Sequence, residues 1–253
     1  MTARLSKKPI ALVAGASDRI GRAMALHLAR HGYSIAITYR SNIKGAQESA
    51  DLISQYSPVV TIPVELGTCN QPDMHSLIKE ISCQLEAPVK LIIYSASFFE
   101  RSNAVDLDYQ HLLANFNIHT FAPMLMAQAL YHHLQTFPQP AKGNFIAMCD
   151  QRVYRRTTTR VAYELSKKSL LEFCRIAALS FADSMRVNTI SPGAILQATS
   201  ETDEEFQRLI SKGVPLKCQG SVENILQTLD FLLQCEYLTG VDIPVDGGEH
   251  LQG

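Results

Sequence analysis

Tyr163 and Lys167, in the run "YELSK", are the residues of this sequence best suited to move a proton. Four positions apart on a helix, they project from one face. An ammonium beside a phenol favours the phenolate and lowers its pKa, so the tyrosine becomes a usable acid and base near neutral pH. A Tyr-x-x-x-Lys pair also arises by chance, so its weight depends on what else surrounds it. The second candidate is "VAGASDRIG", residues 13–21. It follows an apolar strand-like run and opens a segment of helical spacing, as a nucleotide loop requires. Gly15 permits a tight turn, and Gly21 lets the helix pack closely on the sheet. Backbone N–H groups at the helix start would face a pyrophosphate. A loop of the form G-x-x-x-G-x-G would have glycine at position 19, where this chain has Arg19. In place of a close backbone approach, arginine offers five N–H donors and a fixed charge.

These residues need a frame. Short apolar runs at 10–13, 34–39, 59–64, 89–94, 144–148, 186–190 and 241–245 read as strands. Helical patterns fall at 20–31, 43–55, 72–85, 107–117, 121–134, 161–181 and 221–233. The early strands are almost continuously apolar, as in a parallel sheet buried on both faces. The alternation predicts an α/β chain: one doubly wound Rossmann domain over residues 1–253, with a central, mostly parallel, seven-stranded sheet. Ligands of such a sheet sit beyond the carboxyl ends of its strands. A long polar stretch interrupts the rhythm, and the segment around 194–217 is expected to be a substrate lid.

Composition excludes other classes. With 46% hydrophobic and 19% charged residues the chain is globular, not disordered. A net charge of -1 supplies no field to draw it onto nucleic acid or an anionic membrane. No apolar run reaches the ~18 residues of a membrane span. The six cysteines show neither C-x-x-C nor zinc-finger spacing. They are expected to be reduced, mostly buried thiols of a cytoplasmic protein, with no metal site. His132 and His133 read as a surface pair. The second strand runs into "TYRSN", residues 38–42, with no acid to bind a ribose 2'-OH. Arg40 and Ser41 suit a 2'-phosphate, so NADPH is expected over NADH.

Across essentially its whole length the chain resembles the short-chain dehydrogenase/reductase family. The resemblance is carried by the loop after the first strand, "SAS" at 95–97, Asn117, Tyr163 with Lys167, "SPG" at 191–193 and "VDGG" at 245–248. It implies that Tyr163 is the catalytic acid/base, that Lys167 tunes it and holds the nicotinamide ribose, and that Asn117 supports a proton-relay water. It implies cofactor contacts at Gly15, Ser17, Arg19, Ile20, Gly21, Ser95, Ala96, Pro192 and Gly193, with Glu65 and Leu66 near the adenine. The family's usual "NNAG" reads "YSAS" here.

Two departures resemble the pteridine reductase branch: Arg19 in the loop, and Asp150 where most members have serine thirteen residues before the tyrosine. Phe99, two residues past "SAS", is the branch's aromatic. A carboxylate would repel the developing oxyanion of a ketone, whereas a pterin presents N–H donors to it. The resemblance therefore implies NADPH-dependent reduction of a 7,8-dihydropterin, dihydromonapterin first and dihydrofolate second. Phe99 would stack on the pterin, Ser97 and Arg19 would bond its edge, and Asp150 with Tyr163 would organise the proton. Arg152, Arg155, Arg156 and Arg160 read as a solvated loop or as a landing site for an anionic tail. The competing readings are a carbonyl reductase acting on 3-oxoacyl groups and a dinucleotide sensor without turnover. The family also implies a dimer or tetramer formed through helices 107–134 and 161–181.

Overall fold

The first strand shows how the sheet is buried. In the computed structural model, which describes residues 8–137, 142–198 and 201–252, β1 (Ile10–Ala14) has no exposed residue. Ile10, Leu12 and Ala14 enter one core; Ala11 and Val13 enter a second on the other side. Side chains alternate across a strand, so continuous hydrophobicity means helices cover both faces.

The other strands are β2 (Ser34–Tyr39), β3 (Val59–Pro63), β4 (Val89–Tyr94), β5 (Gly143–Met148), β6 (Met185–Pro192) and β7 (Asp242–Val245). They form one sheet in the order β3-β2-β1-β4-β5-β6-β7. Every strand pair among the described residues is parallel. The order reverses between β1 and β4, so the loops leaving these two strands diverge and open a crevice at the carboxyl edge. The two loops pack closely there: a Cβ on Gly15, whose φ is +78°, would lie 2.6 Å from the Ala96 Cα.

The helices are α1 (Arg19–Arg30), α2 (Ile43–Ser54), α3 (Gln71–Leu85), α4 (Tyr109–Phe116), α5 (Ala122–Gln135), α6 (Val161–Ser180), α7 (Asp203–Arg208) and α8 (Val222–Gln234). Local chemistry sets their starts. Asn70 and Asp73 form a reciprocal cap on α3, and Ser221 and Asn224 do so on α8.

The structure corrects several expectations. The patterns at 107–117 and 121–134 are not separate helices, because α4 passes into α5 through a π turn at Asn117–Phe121. Packing against α6 holds this turn helical: Thr120 donates its hydroxyl to the Ser166 carbonyl at 2.9 Å. The segment expected to be a lid is partly helical. It carries α7, capped by Thr202 and Glu205, then a π turn at Leu209–Gly213. Phe206, Ile210 and Val214 pack with Ala194 beneath it. Residues 199 and 200 of that segment lie outside the described ones. All six cysteines are free, but only Cys149 and Cys174 are buried; Cys83 and Cys218 are exposed. His133 is not a free surface group, since its Nε2 accepts from the Val89 N–H at 3.2 Å. Among the described residues no helix is long and apolar enough to cross a membrane.

Candidate active site

Asp150 leaves β5 in extended conformation and caps the short turn Gln151–Tyr154. Its Oδ1 accepts from the Arg152 N–H at 2.8 Å. Its Oδ2 accepts from the Tyr163 hydroxyl at 2.9 Å. Tyr163 lies in the first turn of α6, and the loop after β4 anchors that turn. Ser102 donates its N–H to the Thr159 carbonyl at 2.9 Å, and its hydroxyl oxygen accepts from the Ala162 N–H at 3.0 Å. The same loop sets the Phe99 ring edge-on to Tyr163, with centroids 4.8 Å apart.

This geometry reverses the expected electrostatics of the tyrosine. Burial first, then the Asp150 carboxylate, raises the Tyr163 pKa well above its ordinary value. Lys167 is buried and donates to the Met148 carbonyl at 2.7 Å, with its Nζ 5.8 Å from the Tyr163 ring centre. Burial lowers the pKa of Lys167 itself. Tyr163 is therefore a neutral O–H donor, not a lysine-stabilised phenolate.

Sequence reading missed His119, which is fully buried with its ring centre 5.1 Å from that of Tyr163. Its hydrogen-bond roles are forced. The Phe98 backbone N–H at 3.4 Å can only donate, so Nε2 is the acceptor. The ring proton sits on Nδ1 and goes to Ser166 Oγ at 3.0 Å, whose own proton goes to the Tyr163 carbonyl. Burial, then Lys167, keeps the ring neutral by lowering its pKa well below the usual value. Ser97 Oγ, 2.9 Å from Nε2, donates to it and turns its lone pairs outward. No motif marks His119; its place depends on the π turn, a helical irregularity frequent at functional sites. Asn117 opens the same turn. Asn117 lies near Gly67, in the turn after β3, and lines no part of the tyrosine cavity.

The other expected residues divide between adjoining hollows along the carboxyl edge. A cavity of 240 Å³ is lined by Arg19, Ile20, Ser95, Ser97, Phe99, Asp150, Tyr163, Lys167, Pro192 and Gly193. A second, of 180 Å³, is lined by Gly15, Ser17, Arg40, Ser41, Glu65, Leu66 and Ala96. Between them lies a hollow of 360 Å³ that Gly21 also lines. A dinucleotide fits this run. The Gly15 turn leaves no room for a side chain, and Thr38, on the wall of the second hollow, has a buried Oγ1 with no partner among the described residues. Arg40 and Glu65 are both exposed, 4.0 Å apart.

Arg19 does something the sequence did not suggest. It keeps the left-handed backbone that glycine would favour, with φ +50°. Its guanidinium donates across the crevice to the carbonyls of Leu196 at 3.3 Å and Gln197 at 2.8 Å, at the start of the segment expected to be a lid. The arginine loop is not merely solvated either. Arg160 is buried, lies 3.5 Å over the Phe99 ring centre and pairs with Glu201. Arg155 pairs with Glu249 at 3.0 Å, and Arg152 lies 4.0 Å from Asp150. Of the four, Arg156 alone stands exposed.

A parallel sheet with this reversal point, a glycine turn at β1 and a buried tyrosine–lysine helix defines an oxidoreductase of the short-chain dehydrogenase/reductase class. Residues 15–250 match the family model described as enoyl-(acyl carrier protein) reductase, and the chain belongs to that short-chain family. It is 28% identical over 244 residues to the 3-oxoacyl-(acyl-carrier-protein) reductase of Bos taurus, covering 96% of this chain and 98% of that protein. It is 26% identical over 250 residues to the dihydromonapterin reductase of Enterobacter sp. (strain 638), covering 97% and 98%. Among solved structures, FolM alternative dihydrofolate reductase 1 from Brucella canis, complexed with NADP, superposes with a TM-score of 0.89 at 28% identity, covering 98% of this chain and 96% of that one.

Proposed function

We propose that this chain reduces a 7,8-dihydropterin to the tetrahydro form with NADPH. The observation that carries the reading is the 2.9 Å bond from the Tyr163 hydroxyl to Asp150. In a carbonyl site the group at position 150 donates to the substrate oxygen. Here that group is a carboxylate, which cannot donate when ionised and which already receives the tyrosine proton.

When bound, NADPH would supply hydride for the C6 carbon of the substrate's C=N bond. N5 would then take the Tyr163 proton, the hydroxyl turning from Asp150 to N5, and the Lys167 ammonium, its Nζ 5.8 Å from the ring centre, would offset the phenolate left behind. Asp150 holds that hydroxyl in place and accepts from substrate N–H groups. Ser97, polarised by His119, offers a lone pair to an amino group on the pterin edge. Phe99, backed by the Arg160 guanidinium, is the proposed stacking platform. Gly15, Ser17, Arg19, Ile20, Gly21, Ser95, Ala96, Pro192, Gly193 and Lys167 hold the dinucleotide, with Arg40 and Ser41 on its 2'-phosphate. The dihydromonapterin reductase relative and the NADP-bound Brucella neighbour support substrate and cofactor alike. The single domain closes its 194–217 segment as a lid, and the protein acts in the cytoplasm, where thiols stay reduced.

The test follows NADPH oxidation by absorbance for wild type and Asp150→Ser, on dihydromonapterin and on an acetoacetyl thioester. Wild type should prefer the pterin, and Asp150→Ser should lose pterin turnover by about tenfold or more. A wild type that prefers the thioester makes the chain a carbonyl reductase like its bovine relative.

A further inference from the structure

Beyond Asp150, the wall of the tyrosine cavity holds two buried side-chain oxygens without partners among the described residues. Glu249 is 1% exposed and follows the glycine pair after β7. Its Oε1 is fixed, accepting from Gln151 Nε2 at 2.8 Å and from Arg155 at 3.0 Å. Its Oε2 has no partner among the described residues. A Cβ placed on Gly193 would lie 3.0 Å from that oxygen, so the carboxylate reaches the end of β6 beside the proposed nicotinamide position. Gln151 is 2% exposed, and its Oε1 likewise has no partner. Both residues line the cavity that holds Asp150 and Tyr163.

Buried acceptors of this kind are costly unless a ligand satisfies them. The cost is visible in Glu249, whose pKa burial, then Asp150, pushes up to about 7 despite Arg152 and Arg155 nearby. The missing partner must bring a donor for the Gln151 oxygen, which only accepts, and a hydroxyl suits Glu249, because it donates to the carboxylate and accepts from the neutral acid. It need not bring positive charge, because Arg155 already pairs with Glu249 and Arg152 lies beside Asp150. A carboxylate suits the place less well, because it offers no proton to Gln151 and is repelled by Asp150 and by Glu249 when ionised.

We propose that Glu249 Oε2 and Gln151 Oε1 form a subsite for a neutral, hydroxylated substituent of the substrate, with O–H groups on neighbouring carbons donating to the two oxygens. The inference rests on the pterin reading and narrows it. The preferred substrate is a dihydropterin with a polyol side chain, and the anionic tail of a folate is disfavoured. The arginine loop thus serves to hold Glu249 in place rather than to receive a glutamate tail.

The experiment measures kcat/KM with NADPH for three substrates: a dihydropterin with a 6-trihydroxypropyl chain, 6-methyl-dihydropterin, and dihydrofolate. Wild type should favour the trihydroxypropyl substrate over the methyl one by about tenfold or more, and over dihydrofolate by at least as much. In Glu249→Leu and Gln151→Leu the ratio of trihydroxypropyl to methyl should fall to about one third or less; being a ratio, it is insensitive to a general loss of active protein. Where the leucine variants fail to fold, Glu249→Gln keeps the bonds from Gln151 and Arg155 and turns an N–H to the cavity, and its ratio should fall likewise. A wild-type ratio near one, a preference for dihydrofolate, or an unchanged ratio in the variants overturns the subsite and leaves the pterin reading standing. Turnover of the acetoacetyl thioester with none of the three pterins overturns both.

Discussion

Proton ownership at Tyr163 decides what the residue can do. Its hydroxyl is buried, raised well above its ordinary pKa and bonded to Asp150, so it stays protonated throughout the physiological range. Tyr163→Phe keeps the ring against Phe99 and removes only this proton. We expect kcat to fall by about a hundredfold or more while NADPH affinity, read by fluorescence titration, is nearly retained. Arg40 should show the opposite pattern. Arg40→Ala should raise the KM for NADPH by about tenfold and leave that for NADH nearly unchanged, and equal losses for both cofactors would remove the 2'-phosphate contact. Glu249 offers a test without substrate. Its carboxyl titrates near 7 in the folded protein, against about 4.3 for an unfolded glutamate. The folded state binds the extra proton between those values, so stability falls as pH rises through that window and is level above it. The shift sets an upper limit of about 3–4 kcal/mol. Urea melts at pH 5 and pH 8 should show wild type losing more stability than Glu249→Gln over that interval; parallel losses would refute the assignment.

At the scale of elements, two irregularities organise the site. The π turn between α4 and α5 rotates His119 towards Ser97 and Tyr163 and directs Asn117 to the β3 side. The other is Arg19, which holds left-handed backbone at the start of α1 and spans the crevice to the Gln197 carbonyl, in the proposed lid. Glycine at this position would relieve about 1 kcal/mol of backbone strain. Arg19→Gly should therefore leave the melting temperature of the ligand-free protein unchanged or slightly raised. It should also raise the KM for both NADPH and substrate by several-fold, because the lid loses its anchor. A destabilised variant with unaltered KM values would mean that Arg19 is only structural.

For the whole molecule, the order reversal between β1 and β4 gathers residues distant in sequence along one sheet edge. Helix α6 packs one side against β6 and has another outside. On the outer side, Leu165, Ile176 and Leu179 are exposed at spacings that share a face, with Phe121 exposed at the end of the π turn before α5. Apolar side chains in such a stripe fit a second copy of the chain. We expect a dimer or tetramer by sedimentation, and a monomer from the double change Ile176→Glu and Leu179→Glu. A wild type that sediments as a monomer at micromolar concentration would show that this face stays in water.

The sequence by itself determined what depends on short-range pattern. Strand and helix positions followed from hydrophobic period, the candidate nucleotide loop from Gly15 and Gly21, and the candidate site pair from the four-residue step between Tyr163 and Lys167. Asp150 stood out because it is thirteen residues from the tyrosine, a distance that the turn after β5 and the start of α6 fix nearly locally. Only the tertiary structure decided how these groups are wired. The proton direction between Tyr163 and Asp150, the lysine's engagement with Met148, the neutral His119 and the unpartnered oxygen of Glu249 each depend on burial and on which rotamer meets which neighbour. Gln151 reaches Glu249 across 98 positions of chain, and Arg19 reaches Leu196 across 177. Contacts of that separation leave no periodic trace in a single sequence, because they are set by how the strands are ordered in the sheet and not by the spacing of residues along the chain.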